Sequence, residues 1–347
     1  MEKKAITAVY SAAHFLVDLS CAFLILRYAY NGQSENILLY NFCAFALQMP
    51  IGILLDRFGG GHRMASLGCG LILISYFTAF GSLFTPAAVL SGVGNALFHA
   101  GGGVYVLDKF EDSSALGIFV SPGAIGLYLG TLWANGGEIS CVFPMLAMAV
   151  SAAVIFAAPY IFKSDSRSGE PASEFFTTKT DSRAVFAAIL FFTVVIIRSF
   201  GGFALQLEWK TTASAAFAAV LAAAMGKALG GFASDCFGKK SAAAVSLCGA
   251  ALLYLLSDKM IFGLAAVLLF NMSMPMTLRG AADIFRGGRG FSFGLLTFAL
   301  FLGFLPVYLW DSQAQISRGI MCILCIASAA MLLTGFLIMG RKKNSDG

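Results

Sequence analysis

Gly52-Ile53-Leu54-Leu55-Asp56-Arg57-Phe58-Gly59-Gly60-Gly61-His62-Arg63 is a tight polar turn wedged between two long apolar runs. It returns as Gly231-Phe232-Ala233-Ser234-Asp235-Cys236-Phe237-Gly238-Lys239-Lys240, again between two apolar runs. Placing Asp56 on Asp235 also places Gly52 on Gly231, Phe58 on Phe237 and Gly59 on Gly238, an offset of 179 residues in a chain of 347. A polar turn repeated at half the chain length, with apolar segments on both sides of each copy, points to an internally duplicated set of membrane helices.

Composition agrees with that reading. The chain is 59% hydrophobic and 12% charged, with a mean hydropathy of +0.82. A soluble domain carries about 25% charged residues, so this chain needs lipid as its solvent. Its net charge of +5 is therefore no nucleic-acid footprint, and the placement of the charges sets membrane orientation instead. Eight cysteines are scattered, mostly within apolar runs, which argues against a disulfide framework. Cys322 and Cys325 form a C-x-x-C inside an apolar run with no partner pair, a spacing that small-residue packing explains.

The apolar segments number twelve: 5–28, 37–55, 64–84, 87–107, 114–134, 140–162, 183–205, 211–233, 241–256, 260–278, 291–309 and 316–340. Each is close to the 17–25 residues that span a bilayer, the ninth being the shortest. The first could pass for a signal peptide, but it is too long, carries His14 and Asp18, and has no clear cleavage site. Between the third and fourth only Thr85-Pro86 marks a turn. Residues 163–182, rich in Ser, Thr and charge, read as a flexible linker between an N-terminal six-helix bundle (1–162) and a C-terminal one with a short tail (183–347). With the amino terminus inside, 17 of the 23 Lys and Arg fall in inside segments and 4 outside, while Arg198 and Lys227 lie within helices. That bias puts both termini, the linker and both polar turns in the cytoplasm.

Ionisable groups inside a bilayer are costly and usually face a cavity or a partner. His14 and Asp18, four apart on the first helix, share a face. At about 1.5 Å per residue, Asp18 lies roughly 20 Å from the cytoplasmic end, past the midplane. His99 is on the fourth helix within Gly94-Asn95-Ala96-Leu97-Phe98-His99-Ala100-Gly101-Gly102-Gly103, Arg198 on the seventh at the depth of Asp18, and Lys227 on the eighth. One reading is a central cavity with a titratable acid, two histidines and fixed positive charge. The other is structural: an Asp18–Arg198 ion pair that clamps the halves, histidines that hydrogen-bond a neighbour, and a lysine that snorkels to the interface beside Asp235. A clamp that opens during transport is itself a gate, so the two readings can coexist.

A glycine, an acid, a second glycine and then bases, present twice, resembles the signature loop of the major facilitator superfamily. The first copy has its bases displaced by extra glycines, and the second has Cys236 where that family often has a base. The resemblance covers almost the whole chain. A narrower one, to the fosmidomycin-resistance branch, rests on His14-Phe15-Leu16-Val17-Asp18, on Phe98-His99 followed by small residues, on the lone Arg198, and on Pro122-Gly123-Ala124-Ile125-Gly126-Leu127-Tyr128-Leu129-Gly130. Ala100 stands where that branch tends to have proline. Gly123, Gly126 and Gly130 are spaced to let neighbouring helices approach closely.

The resemblance implies an all-α integral membrane protein with two pseudo-symmetric six-helix bundles, and helices one, four, seven and ten lining a cavity. His14, Asp18, His99, Arg198, Lys227 and Asn271 would belong to that cavity. Gly52, Asp56, Arg57 and Gly59, with Gly231, Asp235, Gly238, Lys239 and Lys240, would form a cytoplasmic gate. The function it implies is secondary active transport by alternating access, driven by protons, with efflux of a small anionic or amphipathic organic compound. The alternatives are import of such an anion and a non-transporting sensor. No G-x-x-x-x-G-K-[ST] is present, so energy from nucleotide is not expected. No H-E-x-x-H or comparable cluster supports an intramembrane enzyme. Neither cofactor, metal nor nucleic acid is expected. The expected partners are the substrate, a proton and the lipid bilayer, for a monomer in a bacterial plasma membrane.

Overall fold

The computed structural model describes residues 2–136, 140–162, 181–285, 287–310 and 315–343. Segment 163–180, most of the expected linker, lies outside the described residues. The described residues form twelve helical segments. These are α1 (Glu2–Leu24, continued by a π turn, Ile25–Ala29), α2 (Ser34–Asn41, a π turn at Phe42–Ala46, then Gln48–Phe58), α3 (Gly61–Phe80) and α4 (Phe84–Lys109). They are followed by α5 (Ser113–Asn135), α6 (Val142–Ile161), α7 (Ser182–Ala204) and α8 (Ala213–Phe237). The last are α9 (Lys239–Leu255), α10 (Met260–Asn271 and Ser273–Ile284), α11 (Arg289–Trp310) and α12 (Arg318–Lys343). Ten of them are long and apolar enough to cross a membrane; glycine-rich α4 and the 17-residue α9 are the other two. A helix satisfies its own backbone polar groups, so it is the natural element for a chain this apolar.

Three boundaries differ from the sequence expectation. The polar turn is much shorter than its twelve-residue signature. Residues 52–58 stay helical, and only Gly59 (φ 68°) and Gly60 (φ 81°) separate α2 from α3. A side chain at these angles would be strained, so the glycines end the helix and Asp56 projects from its last turn. In the second copy Gly238 (φ 81°) alone separates α8 from α9. Thr85-Pro86 is no turn: the chain reverses at 81–83, where Ser82 has φ 60°, and Pro86 lies in the first turn of α4, where a missing N–H costs nothing. Finally, α10 breaks at Met272 and runs six residues beyond the apolar pattern, to Ile284, with Arg279 and Asp283 paired across one turn of its polar end.

The chain forms two compact units. The first comprises Met1–Glu111, Pro122–Ser173 and Gly287–Phe298. Its helices touch backbone to backbone where glycines face each other. A Cβ on Gly68 would stand 2.4 Å from the Gly94 carbonyl oxygen, and one on Gly101 2.4 Å from that of Gly61, which draws α3 onto α4. Tyr76 donates to the Ser20 carbonyl (2.8 Å) and Ser66 to that of Ala152 (2.8 Å), tying α3 to α1 and α6. Ile74, Phe77 and Val150 point outward, as lipid-facing positions should.

The second unit comprises Asp112–Ser121, Glu174–Arg286 and Ala299–Gly347. Phe191, Leu247, Tyr254, Phe270, Met276, Leu332 and Phe336 form its core. Asp181 caps α7 by accepting from the Arg183 amide, and Thr212 caps α8 through the Ala215 amide. Ser199 donates to the Leu300 carbonyl (2.6 Å), joining α7 to α11. Ile189, Val245 and Leu252 are exposed apolar positions here.

Candidate functional site

In the first unit, two pairs of residues four apart face each other. On α1 these are His14 and Asp18, on α4 Asn95 and His99. His14 Nε2 lies 3.2 Å from Asp18 Oδ2, and His99 Nε2 lies 3.5 Å from Asp18 Oδ1. The two Nε2 atoms are 2.8 Å apart, with the rings perpendicular. Asn95 Nδ2 donates to Asp18 Oδ1 at 3.2 Å, and His99 Nδ1 lies 2.9 Å from the Asn95 carbonyl oxygen. A carbonyl oxygen only accepts, so His99 Nδ1 carries a proton. The 2.8 Å contact has room for one proton between two ring nitrogens. His14, Asn95 and His99 are buried. Gly123 of α5 closes over the group: a Cβ there would stand 2.3 Å from His14 Nε2 and 2.4 Å from Asp18 Oδ2. Further along α5, Cβ atoms on Gly126 and Gly130 would meet the backbone oxygens of Phe15 and Leu19 at 2.1 and 2.3 Å, so α5 lies directly on the α1 backbone. The group is a carboxylate with two imidazoles, set among apolar helices.

The two copies of the polar turn build the same contact. Asp56 Oδ1 and Oδ2 accept from the Gly290 and Phe291 amides, each at 2.7 Å, in the first turn of α11. Asp235 Oδ1 and Oδ2 accept from the Ser113 and Ser114 amides, at 2.9 and 2.8 Å, in the first turn of α5. Each carboxylate thus satisfies two amides that have no intrahelical partner, at the positive end of a helix. Asp56 is buried and Asp235 exposed. The glycines make the approach possible. A Cβ on Gly52 would stand 2.0 Å from the Gly290 oxygen, and one on Gly231 2.5 Å from that of Ser113. Of the nearby bases, Arg57 lies over the Phe58 ring and Lys239 pairs with Asp283, which Arg279 shares, while the Lys240 ammonium lies close to Gly340.

In the second unit, buried Arg198 donates through Nη1 to Thr277 Oγ1 on α10 (3.4 Å). Asn271, at the end of the first segment of α10, donates to the Val267 carbonyl. Lys227 is half-buried on α8, where its carbonyl oxygen would be 2.6 Å from a Cβ on Gly117. The residues singled out from sequence therefore fall into a group in the first unit (His14, Asp18, His99) and residues of the second (Arg198, Lys227, Asn271). Asn95, Thr277 and Asp283 were missed. Asn95 stands one helical turn from His99 and Asp283 one helical turn from Arg279, and that spacing is the signal for them.

The fold matches solved transporter structures over nearly its whole length. It aligns with the E. coli fucose:proton symporter at a TM-score of 0.66 and 12% identity, covering 97% of this chain and 99% of that one. With the human organic anion transporter MFSD10 the TM-score is 0.70 and the identity 14%, covering 95% and 99%. The chain has the major facilitator fold. No protein-family model matches the sequence, and no curated protein matches it significantly. Within the major facilitator fold the ten long apolar helices make the chain a multi-pass integral membrane protein.

Proposed function

We propose that the chain is a secondary active transporter, and no enzyme, that exports a small anionic or amphipathic organic compound in exchange for protons by alternating access. The observation that carries this is the His14–Asp18–His99 group, a titratable cluster held within the apolar helices of a major facilitator fold. A carboxylate touching two imidazoles gains and loses a proton with little rearrangement, which suits a coupling site. Buried, fixed-charge Arg198 suits an anionic substrate group, with Lys227 and Asn271 as further polar contacts. The neighbours' names support both parts, one being a proton symporter and the other an organic anion transporter. The symporter's name also favours uptake as the second reading of direction.

In this scheme Gly52, Asp56, Arg57 and Gly59, with Gly231, Asp235, Gly238, Lys239 and Lys240, form the cytoplasmic gate, and the carboxylate caps break and re-form in each cycle. Residues 1–162 and 183–347 act as the two halves, joined by 163–182, with both termini cytoplasmic in a bacterial plasma membrane and the monomer as the working form. The test is flux of a panel of organic anions in proteoliposomes under an imposed proton gradient of either sign. Proton-driven accumulation is expected, and Asp18→Asn abolishes it while leaving substrate exchange. Wild-type accumulation by Asp18→Asn would remove the coupling role, and no flux of any anion under either gradient would remove the transport reading.

A further inference from the structure

We propose that His14, Asp18 and His99 form a binding site for a divalent transition-metal cation of the zinc class. Two imidazole Nε2 atoms, 2.8 Å apart, and one carboxylate converge here from two helices, with His14 Nε2 3.2 Å from Asp18 Oδ2 and His99 Nε2 3.5 Å from Asp18 Oδ1. All three residues offer a ligand atom within 4.8 Å of the others. Zinc bonds of about 2.0–2.1 Å in tetrahedral geometry require ligand atoms about 3.3 Å apart. Each imidazole nitrogen already lies at about that distance from one oxygen of the Asp18 carboxylate. The Nε2–Nε2 edge must open by roughly half an ångström, which small rotations of the two rings supply.

The donor set selects the metal class. Two imidazole nitrogens and one carboxylate oxygen suit zinc and its neighbours, with a fourth position open to water or a ligand. Calcium and magnesium want six or more oxygens, and this group offers one carboxylate. The supporting contacts are those a metal site needs. His99 Nδ1–H is held by the Asn95 carbonyl, which turns Nε2 towards the centre, and the Asn95 amide orients Asp18. The carboxylate also supplies the negative charge that a buried cation requires.

The cation would take the place of the proton between the two Nε2 atoms. Binding therefore releases a proton and weakens as pH falls. Metal and coupling proton compete for the same atoms, so a bound cation blocks proton-driven transport. That consequence rests on the transport reading; binding itself does not.

The test uses the full-length chain, free of any affinity tag, titrated with Zn2+ against a chromophoric chelator at two pH values. One Zn2+ per chain is expected, with weaker binding at the lower pH. X-ray absorption of the zinc-loaded chain is expected to show a nitrogen/oxygen first shell with imidazole scattering. His14→Gln, Asp18→Asn and His99→Gln each weaken binding by about tenfold or more, and Asn95→Ala by about tenfold. Cys236→Ser and Cys248→Ser leave it unchanged. A sulfur first shell, no stoichiometric Zn2+, or unchanged affinity in monodisperse variants of the three ligands would overturn the site. The absorption measurement decides on the unaltered chain even where a variant fails to fold. Proton-driven transport without Zn2+ binding removes the metal site alone. Zn2+ binding in a chain that transports no anion keeps the metal site and removes the transport reading.

Discussion

At Gly123 a hydrogen atom separates the α5 backbone from the His14–Asp18 pair, and the next glycine on the same face meets something quite different. A methyl group at 123 would press on the ends of two side chains, at 2.3 and 2.4 Å, and these can swing aside. At 126 it would meet the Phe15 backbone oxygen at 2.1 Å, which cannot. Gly123→Ala should therefore change thermal stability little, by about 1 kcal/mol, yet displace the cluster and cut proton-driven flux by about tenfold or more. Gly126→Ala should lower stability by about 1–3 kcal/mol. Thermal melts and flux measurements on both variants check the contrast, and similar losses of stability would refute it. Arg198→Ala is expected to lose anionic substrates before neutral ones, read as the ratio of the two fluxes, because it removes a fixed charge and leaves Thr277 with its bonds to the Ser273 and Met274 carbonyls. Much of the first-unit cluster was legible in the sequence, since His14 with Asp18 and Asn95 with His99 obey the four-residue spacing. Their meeting follows only from the family resemblance, which sets helices one and four around one cavity, because the spacing places residues on a face and says nothing of which helix that face meets.

At the scale of the helix, the two carboxylate caps are the contacts most exposed to substitution. Asparagine at 56 or 235 keeps the shape but loses the charge, and its amide group confronts an N–H where the carboxylate accepted one. Charge-assisted hydrogen bonds of this kind are worth about 1.5–3 kcal/mol. Asp56→Asn and Asp235→Asn should each shift the balance between capped and uncapped forms by roughly ten- to a hundredfold. Transport should fall while membrane insertion is preserved, measured as flux per inserted molecule; normal flux in the double variant would count against the gate. The sequence shows the two acids and their flanking glycines plainly, through the 179-residue repeat. It does not show their partners, because backbone amides carry no residue signature. Nor does it show that Lys239, a base of the motif, turns to Asp283, which Arg279 shares.

Over the whole molecule, the twelve apolar runs anticipate the twelve helical segments of the described residues, ten of which have the length and hydropathy of a membrane crossing. The differences lie at the helix ends: α4 starts before Thr85-Pro86 because a first helical turn tolerates proline, and α10 outruns its apolar stretch because Arg279 and Asp283 continue the helix. The Lys and Arg bias makes orientation testable with a native probe. Cys236 is exposed, three residues before Lys239, and should react with a membrane-impermeant thiol reagent only from the cytoplasmic side. Labelling from outside would invert the topology. The caps also have a genetic corollary. Their donors are main-chain amides, which every residue except proline supplies, so selection for chains that fail to close should recover substitutions at 56 and 235 and be nearly silent at 114 and 291. Proline is the one informative replacement there. It is tolerated in the first turn of a helix and removes one N–H while leaving the acid untouched. Ser114→Pro should therefore reproduce part of the Asp235→Asn phenotype, a phenocopy that no change of side-chain chemistry at that position can produce.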